Sequence, residues 1–137
     1  MRWVKLGSLI LMSLFYIFAG YRHFVAPEFY LRMMPPYIPF HEAMVFLSGV
    51  AEVALGVALL VPQLRTYAAW GVIALLIAVF PANLYMAMAN VPFGEAPTPG
   101  WLLWARLPFQ LPLIAWAWWH TRSAAEPASA RPQSAAA

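Results

Sequence analysis

Four long apolar stretches, each followed by a proline-bearing break, run through this chain of 137 residues. They extend from Leu6 to Tyr21 (reaching on toward Phe24), from Ala43 to Val61, from Tyr67 to Ala89 and from Trp101 to Trp119. A membrane-crossing helix needs about 20 mostly apolar residues. The breaks are Pro35-Pro36-Tyr37-Ile38-Pro39, then Pro62, then Pro92 through Gly100. No strict polar–apolar alternation runs through the stretches, so helices fit them better than barrel strands. Only 9% of the residues are charged and 64% are hydrophobic, against about 25% charged in ordinary soluble domains. A water-facing surface can hardly be built from that composition, and 16% aromatic residues oppose a disordered chain. The expected fold is all-α, a four-transmembrane-helix bundle over residues 1–120 with helices at about 4–23, 42–61, 66–90 and 101–119.

Arg2 and Lys5 ahead of an apolar run resemble a secretory signal, but no clear small-residue cleavage site follows Phe18-Ala19-Gly20-Tyr21. The run is therefore read as an uncleaved first span. With four crossings, Arg2, Lys5, Arg65, Arg122 and Arg131 share one side, against Arg22 and Arg32 on the other. The positive-inside rule makes the first side, with both termini, cytoplasmic. Trp3, Trp70, Trp116, Trp118 and Trp119 fall near that side, and Tyr21, Tyr37, Trp101 and Trp104 near the outer one, as aromatic belts do. The Ala/Ser/Pro-rich segment 121–137 is expected to be a disordered cytoplasmic tail. No basic cluster points to nucleic acid.

Ionisable groups are costly at membrane depth and mark function by default. Glu52 lies in the second span, roughly 15 Å below its outer end, and Arg106 lies in the fourth, about 7 Å below Trp101. Gln110 is one turn deeper than Arg106, Asn83 lies at similar depth in the third span, and Tyr16 in the first. Arg106 is long enough to reach toward Glu52, with Gln110 and Asn83 placed to complete a polar cluster. Pro81, Pro108 and Pro112 free the carbonyls of Ile77, Trp104 and Pro108 in the same region. The cluster reads in two ways: a buried ion pair that fixes helix register, or the wall of a pocket for a ligand or proton. Gly49 and Gly56 beside Glu52 read as positions of close helix packing.

His23 and His41 fall at the outer boundary, and His23 is a candidate for the rim of such a pocket. Haem between the two histidines, or copper with Met33 and Met34, is not expected, and no metal site is assigned. With no cysteine, disulfides, thiol catalysis and Cys-based metal or haem sites are excluded. The segment Ala26 to Met34, with Pro27 near a helix start, reads as a short interfacial helix between the first and second spans. It serves either as a lid or docking face, or as a loop anchored among headgroups. His120 is expected at the opposite boundary, and Met86 and Met88 are expected to pack.

The strings AGYRHFVAPEFYLRMMPPYIPFH, LSGVAEVALGVALLVP, WGVIALLIAVFPANLYMAM and RLPFQLPL, in this order, resemble the DoxX-like membrane proteins over about residues 15–119. The resemblance implies a four-helix bundle in the bacterial cytoplasmic (inner) membrane. Its polar motif positions fall on His23, Glu52, Asn83, Arg106 and Gln110. It also implies a redox association, since some DoxX relatives are subunits of quinone-linked sulfur oxidation or membrane partners of redox proteins, while a distant branch acts in receptor assembly. Without a cysteine pair, a redox role here needs a bound quinone, an external cofactor or a partner subunit in the membrane or periplasm.

The expected function is an accessory membrane subunit holding a quinone-like or other small ligand in the outer half of the bundle. Arg106 or Gln110 would donate to a carbonyl and Glu52 would exchange protons. The alternatives are a proton or small-solute transport component, for which four short helices need a homo-oligomer to make room, and a non-catalytic scaffold or assembly factor. An independent enzyme is the weakest reading, because no nucleophile–base arrangement appears.

Overall fold

The computed structural model describes residues 2–92 and 96–122; the tail expected to be disordered lies, from residue 123 on, outside the described residues. The described residues are all-helical, with α1 Arg2–Val25, α2 Pro27–Leu31, α3 His41–Leu60, α4 Arg65–Ala89 and α5 Gly100–Thr121. Each long helix covers a stretch read from the sequence, with ends moved by one or two residues.

Local chemistry sets these ends. Pro27 opens α2 at its first turn, where a missing N–H costs nothing. Phe40 turns the chain into α3 in the left-handed region, φ 56°, a conformation bulky side chains seldom adopt. Asn90 ends α4 in the same region, φ 55°, and Asn tolerates it far better. Pro99 precedes α5.

Three helices, α1, α3 and α4, are long and apolar enough to cross a membrane. With 22 residues α5 matches them in length, but its tryptophans, two internal prolines, Arg106 and Gln110 lower its hydropathy. No more than a third of each of the three apolar spans is buried within the protein. Large apolar side chains instead point outward, among them Leu11, Leu14, Phe18, Ile77, Phe109 and Leu111. A protein surface in water seldom exposes contiguous apolar area on this scale, whereas hydrocarbon solvates it at no cost.

The inward face of α1 is a single helical stripe of Leu9, Met12, Ser13, Tyr16, Gly20 and His23. It packs on α3 running the other way, because Ser13 Oγ donates to Gly56 O at 2.6 Å while Gly20 meets Gly49. This crossing is close enough to exclude side chains. A Cβ on Gly56 would stand 2.7 Å from Ile17 Cγ1 and 2.9 Å from Ser13 O, and one on Gly20 2.7 Å from Gly49 O. Small residues at a helix crossing in this way let backbones approach and gain dispersion contact where no hydrophobic effect operates.

A second antiparallel pair is α4 with α5, and α3 against α4 joins the two pairs. Leu9, Met12, Tyr16, Leu59, Val72, Leu76 and Ala117 form one core cluster, and Met33, Met86, Ala87 and Leu103 form another, on which Phe29 and Tyr30 of α2 pack.

Candidate functional site

Every helix contributes to one small cavity of about 140 Å³. His23 comes from α1, Tyr30 from α2, Ser48 and Glu52 from α3, Val79 and Ala82 from α4 and Arg106 from α5, with Met33 and Met34 closing it from the loop after α2. The residues are apolar except for one imidazole, one phenol, one hydroxyl, one carboxylate and one guanidinium. Few ligand sites of this size carry so many ionisable groups.

The carboxylate and imidazole are neighbours. Glu52 Oε2 lies 3.5 Å from His23 Nδ1, with the two side chains 12% and 8% exposed. His23 Nδ1 is also 3.0 Å from the carbonyl of Ala19, one turn back on α1. A carbonyl oxygen only accepts, so the imidazole hydrogen sits on Nδ1 and is directed to Ala19. Glu52 Oε2 is then a buried acceptor that no donor serves among the described residues. Such an atom is rare in folded proteins and calls for a partner from outside the chain.

Tyr30 places the short helix on this arrangement. Its ring stacks on the His23 ring with centroids 3.7 Å apart and planes inclined by 18°. Burial first, and then the charge of Glu52, hold the Tyr30 phenol above the ordinary tyrosine range, with Arg22 and Arg106 pulling the other way. The phenol therefore stays a donor at neutral pH.

Arg106 lines the same cavity as Glu52. Its Nη1 donates toward Met86 Sδ at 3.3 Å and toward Met33 Sδ at 3.9 Å. Glu52 has His23 in ion-pair range. Two polarisable thioethers thus flank the guanidinium, and a methionine embrace of this kind has no signature in helical spacing.

The other residues singled out from the sequence are placed differently. Gln110 is buried, but its Nε2 donates to Leu76 O of α4 at 3.1 Å. That carbonyl lies one residue before the one freed by Pro81, so Gln110 ties α5 to α4 and does not line the cavity. Tyr16 is buried in the apolar cluster with Met12 and Leu59, edge-on to Phe15. Asn83 is half-buried and is not among the cavity's walls. His41 accepts or donates nothing to the site; its Nε2 lies 3.0 Å from Pro35 O and so donates there. His120, expected at the boundary, is buried.

The sequence reading did not find Tyr30, Met33 and Met86 as partners of the ionisable groups, nor Gly20 in the helix crossing. The pairing of an exposed-looking loop residue such as Met33 with a residue 73 positions later depends on helix rotation, which spacing alone leaves open.

A family model described as a domain of unknown function (DUF8561) matches residues 12–121, from the second half of α1 to the last residue of α5, and the chain belongs to that family. Neither a curated protein nor a solved structure matches it.

Proposed function

We propose that this protein is a four-span membrane subunit that holds the ring of a quinone-like molecule in the cavity between His23, Tyr30, Glu52 and Arg106. The observation that carries the reading is Glu52 Oε2, a buried acceptor that no donor serves among the described residues, at the wall of a cavity to which every helix contributes. A hydroxyl on the ring of a reduced quinone is the missing donor. Bound there, such a ring would set its hydroxyl against Glu52 Oε2, which would accept that hydrogen bond, while the Arg106 guanidinium or the Tyr30 phenol would donate to the oxygen on the opposite side of the ring.

Size limits the ligand. A space of about 140 Å³ is close to that of an engineered cavity that holds benzene and well below the several hundred Å³ of drug-sized sites. It takes one six-membered head. A neighbouring recess of about 430 Å³ shares His23 and Val45 with the cavity and is otherwise bounded by the apolar Phe24, Pro27, Leu31 and Phe46, with Glu42 as its one carboxylate. That recess suits an apolar tail leaving the head.

In this reading α5 is the fourth crossing. Its 22 residues span about 33 Å, and tryptophans stand at both ends, as at the two faces of a bilayer. The termini face the cytoplasm, since Arg2, Lys5, Arg65 and Arg122 all fall at that end. The likeness to DoxX-like proteins of the bacterial inner membrane supports a redox-associated accessory role, with electrons supplied or taken by a partner subunit.

Native mass spectrometry of the detergent-purified protein, with solvent extraction of whatever copurifies, tests the reading. A bound molecule with a quinone absorbance is expected, lost in Glu52→Gln and Arg106→Gln proteins that still insert. Absence of any copurifying molecule, with both substitutions only destabilising, would establish a scaffold instead. Glu52-dependent acidification of proteoliposomes would establish transport.

A further inference from the structure

A second recess, of about 930 Å³, opens at the other end of the molecule, where the N-termini of α1 and α4 meet the C-terminus of α5. Arg2, Trp3, Lys5, Arg65 and His120 line it, and no described acidic residue does. Glu28, Glu42 and Glu52 all belong to α2 and α3.

The cations are held in place by the fold. Arg65 Nε donates to Leu59 O at 3.1 Å across the α3–α4 turn. The Lys5 ammonium lies 5.6 Å from the Trp119 ring centroid. His120 is tied to the first helix: Trp116 Nε1 donates to Ser8 Oγ at 2.7 Å, and the same hydroxyl is hydrogen-bonded to His120 Nε2 at 3.1 Å.

We infer that this recess binds the phosphate-bearing headgroup of an anionic phospholipid. Basic recesses between transmembrane helices on the cytoplasmic side are suited to such headgroups. The size favours a lipid over a free anion, since a bare phosphate would leave most of this volume unfilled. The flanking surface agrees: Trp3 is 81% exposed, Trp118 carries the Arg122 guanidinium 3.7 Å from its ring centroid, and Leu6 offers an apolar wall to an acyl chain. This site is separate from the cavity at Glu52 and stands whatever that cavity holds.

The test is native mass spectrometry of the delipidated full-length protein in a neutral detergent, offered equal amounts of phosphatidylglycerol and phosphatidylcholine. Phosphatidylglycerol adducts are expected to dominate, and each of Arg2→Gln, Lys5→Gln and Arg65→Gln to cut the preference about fivefold. Arg32→Gln, at the opposite end, is expected to leave it unchanged. Among the described residues the side chains of Arg2 and Lys5 have no hydrogen-bond partner, so their variants carry the test if loss of the Arg65 bond unfolds the protein. Equal retention of the two lipids, or an unchanged preference in Arg2→Gln and Lys5→Gln, overturns the assignment. Displacement of the lipid by millimolar inorganic phosphate also overturns it, in favour of a site for the free anion.

Discussion

The Tyr30 ring lies flat on the His23 ring, 3.7 Å between centroids, while the other side of the same imidazole environment is a carboxylate oxygen with no hydrogen-bond donor. The short helix α2 is therefore fastened to the first long helix at the residue that borders the buried acid. Any molecule that enters beside Glu52 must share space with this stack. The relationship makes the acid a strained element of the fold as well as a chemical one.

Glu52→Gln tests that strain. In protein stripped of any bound molecule, replacing an unserved buried carboxylate oxygen by an amide of the same shape removes a desolvated charge, and a gain of about 1 kcal/mol or more is expected. Thermal unfolding in detergent measures it. A lowered midpoint would mean that the acid is well partnered and that the cavity has no vacancy in its hydrogen bonding.

The glycines of the α1–α3 crossing are expected to respond in a graded way. Gly56→Ala drives a methyl into Ile17 and the Ser13 carbonyl and is expected to lose about 1–3 kcal/mol. Gly7→Ala meets nothing within 4 Å and is expected to be neutral or to gain up to about 1 kcal/mol from helix propensity. Equal behaviour of the two variants in a denaturant titration would show that the helices do not cross where the structure places them.

Ser8 is the single hydroxyl between Trp116 and His120. Ser8→Ala takes away the hydrogen-bond partner that the Trp116 indole and the His120 imidazole share, and about 1–3 kcal/mol of stability should be lost. Ser8→Thr, which keeps the hydroxyl, should restore most of it. Tryptophan emission would report the change at Trp116; an alanine variant as stable as the parent removes this link between α1 and α5.

Topology is open to direct labelling because the chain has no cysteine. In intact cells a membrane-impermeant maleimide is expected to modify Tyr37→Cys and to leave Arg122→Cys untouched until lysis. Labelling of both from outside would show that α5 does not cross.

Much of this fold was legible before any coordinate, and for one reason. Apolar run length and proline position are properties of the chain itself, so the ends of α3 and α4 could be read to within one residue. That Glu52 and Arg106 fall at a common level of the bundle was legible too, because rise per residue is fixed, and the two line one cavity. What could not be read is rotation about each helix axis. Arg106 turns to Met86 and Met33, and Gln110 to the Leu76 carbonyl, in directions no spacing rule supplies. Tyr30 escaped notice for a different reason: it lies in a five-residue helix whose position depends wholly on what it packs against.

The pairing of α1 with α3, and of α4 with α5, has a consequence for how such a chain is made. Each pair consists of long helices that follow one another along the polypeptide, separated only by a connection. Synthesis from the amino terminus thus releases one complete hairpin before the next has begun, and close-range partners find each other without waiting for distant ones. The space between the hairpins closes last, and only then does the acid on α3 acquire the walls that give it a purpose.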